Sequence, residues 1–142
     1  MDIRRARASD QPAVVALLSD AGLSVPGVAE HFSDFLVAER DDVIVSAVGL
    51  ELREHDALLR SAVVAPAERG KGIGDDLFHS IVDFARAKGV GALHLLTTGA
   101  EAYWAKRGFG VVSRDDIPES VKESAEFKGA CPSSAVAMSK GI

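Results

Sequence analysis

The sequence predicts an α/β (α+β) domain in which strands and helices alternate. Apolar runs of strand length recur along the chain and are separated by segments with helical periodicity. The strongest helical segment, Gly72–Lys88, stands between two apolar strands, as in mixed α/β folds. With 142 residues, 47% of them hydrophobic, the chain can bury a core, and we expect one domain over residues 1–142.

The first half of the chain predicts four strands and two helical segments. Asp2–Ala6 forms the first strand, and Ser9 or Asp10 can cap a helix that has Pro12 in its first turn and ends at Gly22. A short helical piece follows around Val28–Phe32. The next three strands are Phe35–Glu39, Val43–Arg53 and Ala57–Val64, joined by turns at Asp41-Asp42 and at His55-Asp56.

The second half begins with the amphipathic helix Gly72–Lys88. Its apolar residues recur at helical spacing, and Gly89 ends it: Ile73, Leu77, Phe78, Ile81, Val82 and Ala85. After it we expect the strands Ala92–Thr97, Phe109–Ser113 and Ala135–Met138, with helices at Ala100–Arg107 and near Glu119–Ser124.

Composition excludes several classes of function. The net charge is −5 and no basic block exists, which argues against a nucleic-acid surface. The single cysteine, Cys131, excludes an internal disulfide and a multi-cysteine metal site, so we expect no metal. No apolar run has the length of a membrane span or of a signal peptide core, which predicts a cytoplasmic protein without a membrane partner.

The most informative segment is the basic, glycine-rich turn between the strand ending at Val64 and the helix that follows. Gly70, Gly72 and Gly74 leave no side chains over the backbone amides. Free N–H groups at a helix N-terminus bind anions, because the donors are unpaired and the helix dipole favours negative charge. Arg69 and Lys71 add positive charge. The turn therefore predicts a site for a phosphate or pyrophosphate.

Two common phosphate motifs do not fit this turn. A P-loop needs glycine where Ala65 stands and a hydroxyl residue where Gly72 stands, and the dinucleotide fingerprint needs a third glycine at Leu77. The segment Arg69-Gly70-Lys71-Gly72-Ile73-Gly74 instead resembles the acetyl-CoA pyrophosphate loop of the GCN5-related N-acetyltransferase (GNAT) family. The alternative is a glycine-rich helix start without a ligand.

The order of the elements resembles that family over nearly the whole chain. The resemblance implies a mixed sheet flanked by helices, in which two central parallel strands, here Ala57–Val64 and Ala92–Thr97, splay apart. It implies acetyl-CoA as cosubstrate, because the pantetheine amides pair with backbone groups that the splay leaves free. The residues that it assigns to the cosubstrate are Val63, Val64, Arg69, Gly70, Lys71, Gly72, Ile73, Gly74 and Trp104.

The resemblance leaves the proton donor of the reaction open. Many members have a tyrosine in a pattern like F-Y-x-x-x-G-F, and Trp104 occupies the position of that tyrosine here, five residues before Phe109. Tyr103 stands one residue earlier, about 100° around a helix. Tyr103 is the candidate acid, and the alternative is that Tyr103 and Trp104 both pack against cofactor or core.

Glu51 and Arg60 form a second candidate pair. A two-residue turn at His55-Asp56 would place them opposite each other on adjacent antiparallel strands. One interpretation is an exposed ion pair on the sheet, worth under ~1 kcal/mol. The other is that Arg60 binds an acidic group of the substrate while Glu51 orients it or acts as a catalytic base.

Two narrower resemblances suggest the acceptor. Leu95-Leu96-Thr97-Thr98 with the segment 103–109 is similar to N-acetylglutamate synthase-type acetyltransferases. Leu95-Leu96-Thr97-Thr98 with Ala100-Glu101-Ala102 also resembles small acetyltransferases of arsenic-resistance operons, as do Val48-Gly49-Leu50-Glu51, Leu58-Leu59-Arg60-Ser61 and Cys131-Pro132-Ser133-Ser134-Ala135. We prefer this second resemblance, because it is spread over more of the chain. Both imply a small amino acid or amino-acid-like acid as acceptor. Donors that suit its carboxylate are Arg60, Ser61, Thr97 and Thr98.

The resemblances together predict an acetyl-CoA-dependent N-acetyltransferase acting on such an amine, in detoxification or arsenic resistance. One alternative is an N-acetylglutamate synthase-like amino-acid acetyltransferase. The other is a coenzyme A-binding regulatory module without transfer activity, which the displaced tyrosine favours. The expected partner is a small-molecule amine, and the expected oligomeric state is a monomer or homodimer.

Overall fold

One seven-stranded sheet organises the computed structural model, which describes residues 1–142. In space the strands follow the order β1-β2-β3-β4-β5-β7-β6, and every neighbouring pair is antiparallel except β4 and β5. This mixed sheet is the predicted fold class. The strands are β1 (Asp2–Arg5), β2 (Phe35–Arg40), β3 (Val43–Arg53), β4 (Asp56–Val64), β5 (Ala92–Thr97), β6 (Gly110–Val112) and β7 (Val136–Gly141).

Five α-helices flank the sheet, each near a predicted position. They are α1 (Gln11–Asp20), α2 (Val28–His31), α3 (Ile73–Ala87), α4 (Glu101–Ala105) and α5 (Glu119–Lys122). A π-type turn at Glu126–Ala130, which the sequence did not predict, follows α5. No helix combines the length and the apolar character that crossing a bilayer requires.

The helices cover both faces of the sheet. On one face α3 buries Leu77, Phe78 and Ile81 against strand residues that include Leu59 and Leu93. On the other face Val14 and Leu18 of α1 pack with Phe35 and Val37 of β2. Alternate residues of β2 thus enter opposite cores, Leu36 under α3 and its neighbours Phe35 and Val37 under α1, as the period of two in a strand requires.

The hairpin between β3 and β4 differs from the prediction by one residue. Arg53 pairs with Asp56, so Glu54 and His55 form the turn, and the predicted turn at His55-Asp56 is wrong. Glu54 adopts a φ of 61°, a left-handed conformation that a glycine or asparagine would have indicated and a glutamate does not. The shift changes which residues of the two strands face each other.

A bulge in β4 changes the faces of its second half. Arg60 pairs with Gly49 and Val63 with Ala47, so both Ser61 and Ala62 lie opposite Val48. Ser61 has a φ of 59°. Because of this bulge, Val63 joins the core under α1, whereas Leu59, four residues earlier, joins the core under α3.

Beyond their first three residues β4 and β5 separate. The parallel ladder contains only the pairs Asp56–Ala92, Ala57–Leu93 and Leu58–His94. β4 continues along β3 as far as Val64, and β5 continues along β7 as far as Thr97. The resulting gap, called the wedge below, confirms the splayed strands that the family resemblance implied.

A close approach of two strands yields a prediction about stability. A Cβ at Gly49 would overlap the ring of Phe35, a fully buried residue of the neighbouring strand β2. We expect Gly49→Ala to lower the free energy of unfolding in urea by about 1–3 kcal/mol, because the buried ring must shift to make room for the added methyl group. Gly110→Ala on β6 is the control, because a Cβ there meets nothing within 4 Å, and a change within about 0.5 kcal/mol is expected. Equal free energies of unfolding of Gly49→Ala and Gly110→Ala would contradict the steric overlap with Phe35.

Candidate active site

Two cavities flank the wedge. The first, called the loop cavity, has a volume of about 320 Å³ and lies beside the glycine-rich turn. The second, called the wedge cavity, has a volume of about 410 Å³ and lies between the diverging ends of β4 and β5. Four residues line both cavities, so the two spaces meet between the bulge of β4, α4 and the segment after α1: Ala21, Leu23, Ala62 and Trp104. Two molecules could therefore occupy the cavities and come into contact there.

The glycine-rich turn at residues 69–74 presents backbone donors at the start of α3. Gly70 and Gly72 have φ values of 80° and 81°, which glycine adopts without steric cost. The first intrahelical hydrogen bond runs from the Asp76 amide to the Gly72 carbonyl, at 3.1 Å. The amides of residues 73–75 precede it and have no acceptor inside the helix. An anion is the natural partner for these donors.

The two basic side chains of the turn, Arg69 and Lys71, make local contacts. Arg69 Nε donates to the Val64 carbonyl at 3.1 Å, and Lys71 Nζ pairs with Glu68 at 3.1 Å. Arg69 also lines the loop cavity, together with Val63, Val64 and Gly74. The structure thus brings Arg69 and Gly74 of the predicted phosphate loop and the predicted backbone contacts of β4 to one cavity. The other loop residues do not line it: Gly70, Lys71, Gly72 and Ile73.

Trp104 and Tyr103 occupy different environments. Trp104 is buried and packs edge-on against Phe109, with 5.5 Å between the ring centroids, and also against Phe78. Tyr103 is 40% exposed, and a Cβ at Gly74 would lie only 3.0 Å from its hydroxyl. Trp104 therefore belongs to the core and to the wall between the cavities, whereas Tyr103 borders the glycine-rich turn.

The surroundings of Tyr103 keep its phenol protonated. The Arg107 guanidinium lies 3.5 Å from the centroid of its ring and pairs with Asp75 at the start of α3. Burial raises the pKa of Tyr103, the Arg107 charge opposes this, and the Asp75 charge adds to it. Tyr103 lines the loop cavity and not the wedge cavity.

The wedge cavity collects the residues predicted to bind the acceptor. Arg60 and Ser61 reach it from β4, and Thr97 and Thr98 reach it from the end of β5. Sequence reasoning did not identify two further polar residues of its wall: Ser24 follows α1, and Glu126 belongs to the π-type turn. They come from segments with no motif, and only the tertiary structure brings them to the wedge. Cys131, which the sequence offered only as part of the resemblance at residues 131–135, follows the π-type turn and also lines the cavity.

Glu51 and Arg60 do meet, but not as predicted. Glu51 faces Leu58 and Arg60 faces Gly49, so the predicted direct pairing across the strands is wrong. The two side chains meet diagonally, with 2.7 Å between Arg60 Nη1 and Glu51 Oε2. Both side chains are at most 1% exposed, which excludes the interpretation as an exposed ion pair.

Glu51 is the centre of a buried polar network. Besides Arg60, it accepts hydrogen bonds from Ser124 Oγ at 3.0 Å and Arg53 Nη2 at 3.1 Å, and His31 Nε2 lies 3.4 Å away. Arg60 in turn donates from Nε to Ser61 Oγ at 3.1 Å. Glu51 lines neither cavity. It lies behind Arg60 and fixes the position of the guanidinium at the cavity wall.

Glu126 is the buried acid that does face the wedge cavity. Its Oε2 accepts a hydrogen bond from Ser24 Oγ at 2.7 Å and lies 3.7 Å from Arg60 Nη2. Burial raises the pKa of Glu126; the Arg60 charge and the Ser24 hydrogen bond oppose this, and the Glu51 charge adds to it. Burial also raises the pKa of Cys131 nearby, which keeps its thiol protonated at neutral pH.

Known proteins similar to this chain include amino-acid acetyltransferases. The chain is 29% identical over 138 residues to an amino-acid acetyltransferase of Neisseria meningitidis and 31% identical over 126 residues to one of Ralstonia nicotianae. These matches cover 91% and 82% of the chain but only 32% and 28% of the relatives. The chain thus spans about a third of the length of these relatives.

Solved structures show the same architecture. N-acetylglutamate synthase from Neisseria gonorrhoeae, in complex with coenzyme A and N-acetyl-glutamate, superposes with a TM-score of 0.86 at 25% identity, over 99% of this chain and 35% of that one. Rv2747 from Mycobacterium tuberculosis, in complex with CoA, has a TM-score of 0.82 at 23% identity over 100% of this chain and 99% of that one. The second likeness concerns the fold alone.

The family itself is shown by the sequence. The model of the acetyltransferase (GNAT) family matches residues 7–109, which include β2 to β5, the glycine-rich turn and α3. This match covers well over half of the chain and confirms the family that the turn predicted. The protein therefore belongs to the acetyltransferase (GNAT) family.

Proposed function

We propose that this domain is an acetyl-CoA-dependent N-acetyltransferase whose acceptor is the amine of a small amino acid or amino-acid-like acid. The observation that carries the proposal is the wedge. It has an anion-binding turn at one side and a polar cavity at the other, and the two cavities meet at Ala62 and Trp104. A cosubstrate in the loop cavity would present its acetyl group to an amine in the wedge cavity.

The loop cavity suits the cosubstrate in two parts. The amides and basic side chains of residues 69–74 would hold the pyrophosphate. The backbone of Val63 and Val64 would pair with the pantetheine arm, because β5 has already diverged from β4 at that point. Trp104, at the junction of the cavities, would border the thioester.

The wedge cavity suits an acceptor that carries a carboxylate. The hydroxyls of Ser61, Thr97 and Thr98 are donors, and Arg60 supplies the positive charge. Glu51 would act through Arg60 as a positioning residue, because its side chain is 1% exposed and lies behind the guanidinium. The amino-acid acetyltransferases among the relatives support an amino acid as acceptor.

An N-acetylglutamate synthase-like activity is the second candidate. The likeness to the Neisseria gonorrhoeae enzyme, which was solved with N-acetyl-glutamate, favours glutamate among the amino acids. A role in detoxification or arsenic resistance is a further prediction, which rests on the sequence resemblance alone. The remaining alternative is a coenzyme A-binding regulatory module without transfer activity, which would form no acetylated product.

The experiment is incubation of the protein with acetyl-CoA and each amino acid in turn, with mass spectrometry of the products. We expect the mass of one acetyl group to be added to one or a few amino acids, and free coenzyme A to appear in equal amount. Preference for L-glutamate would support the second candidate. Calorimetric binding of acetyl-CoA without any acetylated product would contradict transfer and favour the regulatory module.

The position of Tyr103 predicts a small role in proton transfer. We expect Tyr103→Phe to lower kcat by less than about tenfold, below the ~10²–10⁴ of a true general acid, because its hydroxyl borders Gly74 and not the wedge cavity. Steady-state kinetics with the acceptor found above would measure this. A thousandfold loss with unchanged acetyl-CoA affinity would instead identify Tyr103 as the acid.

A further inference from the structure

Glu126 has a free oxygen at the wall of the wedge cavity. Its Oε2 has two partners, Ser24 and Arg60, whereas Oε1 accepts no hydrogen bond within the protein, and the residue lines the wedge cavity. The residue as a whole is 6% exposed. Its backbone amide donates to Ser124 Oγ at 3.2 Å, and Ser124 Oγ donates to Glu51. These hydrogen bonds connect the π-type turn to β3. The carboxylate is therefore fixed and retains acceptor capacity towards the cavity.

The two buried acids near Arg60 differ in their availability. Glu51 is enclosed by Arg60, Ser124, Arg53 and His31 and lines no cavity. Glu126 lines the cavity and lies farther from the guanidinium, at 3.7 Å against 2.7 Å. Glu51 is thus fully engaged by its partners, and Glu126 is the acid that can attract a cation or accept a proton from the cavity.

We propose that Glu126 binds the ammonium group of the acceptor and removes its proton, which makes Glu126 the catalytic base of this site. The inference rests on the proposed function and names the group that the reaction needs, since only a neutral amine attacks a thioester. It also specifies how the acceptor is oriented. A zwitterionic amino acid would place its ammonium at Glu126 and its carboxylate towards Ser61, Thr97 and Thr98.

The proposed step is balanced in protons and electrons. One proton passes from the acceptor ammonium to Glu126 Oε1, and the freed nitrogen lone pair forms a bond to the acetyl carbonyl carbon. The carbon–sulfur bond of acetyl-CoA then breaks, and the electron pair leaves with the coenzyme A sulfur as a thiolate. The second proton of the nitrogen passes to that thiolate, and Glu126 releases its proton to solvent.

The electrostatic surroundings make Glu126 a better base than an exposed glutamate. The charged and titratable groups that face it are Arg60 of β4, Glu51 of β3 and Cys131 on the same segment. Burial is the dominant influence on its pKa and raises it, which moves the carboxylate towards the neutral range where a base works best. The Cys131 thiol is protonated at neutral pH, since its own pKa is also raised, and so does not compete as the base.

The variant that tests the proposal is Glu126→Gln, which keeps the shape and the hydrogen bond from Ser24 and removes the basicity. The probe is L-glutamate, or the amino acid that the wild-type protein acetylates fastest. We expect kcat/KM near pH 7 to fall by about 10²–10⁴. It should then rise about tenfold per pH unit towards the amine pKa, because hydroxide replaces the missing base. Acetyl-CoA affinity, measured by calorimetry, should not change.

Two further variants serve as controls. Glu123→Gln, at an exposed position three residues earlier, should retain the wild-type profile. Glu126→Asp keeps a carboxylate and should retain the shape of that profile at reduced rate. Ser24→Ala removes a hydrogen bond that stabilises the charged form, so the acidic limb of the profile should move to higher pH.

Several outcomes would overturn the inference. A folded Glu126→Gln variant with wild-type kcat/KM would do so, as would an equal loss at every pH. If Glu126→Gln does not fold, the pH profile of Ser24→Ala decides instead. An acidic limb at the same pH as in the wild-type protein would also contradict the inference. In each of these cases the wild-type protein still acetylates its amino acid, and the proposed function stands. A wild-type protein that acetylates no amino acid removes both proposals.

Discussion

Replacing Gly72 by aspartate should abolish measurable binding of acetyl-CoA. The φ of Gly72 is 81°, and this residue precedes the unpaired amides at the start of α3. A carboxylate there would occupy the place of the pyrophosphate and repel it. Loss of two charge-assisted hydrogen bonds, each worth about 1.5–3 kcal/mol, is at least a hundredfold in affinity. Titration calorimetry with acetyl-CoA measures the effect.

Gly72→Asn separates charge from backbone strain. Asparagine and aspartate have the same shape and tolerate left-handed backbone to a similar extent, and a Cβ at this position meets nothing within 4 Å. The asparagine variant should therefore fold and bind with an intermediate affinity. Position 74 is a poorer choice, because a Cβ there would lie 3.0 Å from the Tyr103 hydroxyl. Equal affinities of the aspartate and asparagine variants would show that no anion binds at this turn.

Glu51→Gln should destabilise the protein more than any other single change considered. It removes the negative charge that neutralises Arg60, whose side chain is 0% exposed, and leaves a buried guanidinium without a full partner. Breaking one side of a buried ion pair costs about 3–5 kcal/mol. We expect the free energy of unfolding in urea to fall by that amount, a large part of the stability of a small domain.

The exposed pair Glu119–Lys122 provides the matched control. The Glu119 side chain is 91% exposed and lies 3.0 Å from Lys122, so Glu119→Gln should change the stability by less than about 0.5 kcal/mol. A double variant, Glu51→Leu with Arg60→Met, should recover much of the loss, because no buried charge of the pair remains. Similar stabilities of Glu51→Gln and Glu119→Gln would show that water reaches the buried network.

Most of the fold could be predicted from the sequence because its signals are local. The strands Val43–Arg53 and Ala92–Thr97 agree residue for residue with the prediction, since continuous apolar runs between turn residues define them. The turn at Asp41-Asp42 is also confirmed, with φ values of 51° and 65°. The next hairpin was misplaced by one residue, because Glu54 adopts a left-handed conformation with no glycine or asparagine to signal it.

The candidate site was only partly accessible to the same reasoning. The glycine-rich turn is contiguous, so its residues and spacing identify it. The Glu51–Arg60 contact depends on register, and the bulge that places Ser61 and Ala62 opposite one residue has no local signal. Glu126 lies in a polar segment without periodicity, and only the packing of that segment over the wedge buries its carboxylate. Long-range packing decides such positions.

The short ladder between β4 and β5 has a consequence for how the protein responds to its metabolic surroundings. Only three residue pairs join β4 to β5, so the backbone of β4 after Leu58 has no strand partner on the side of β5. A molecule that fills this gap binds only the native state and therefore stabilises it by mass action. At a hundredfold excess over the dissociation constant the gain is about 2.7 kcal/mol. The lifetime of the folded chain would then follow the cellular supply of acetyl-CoA.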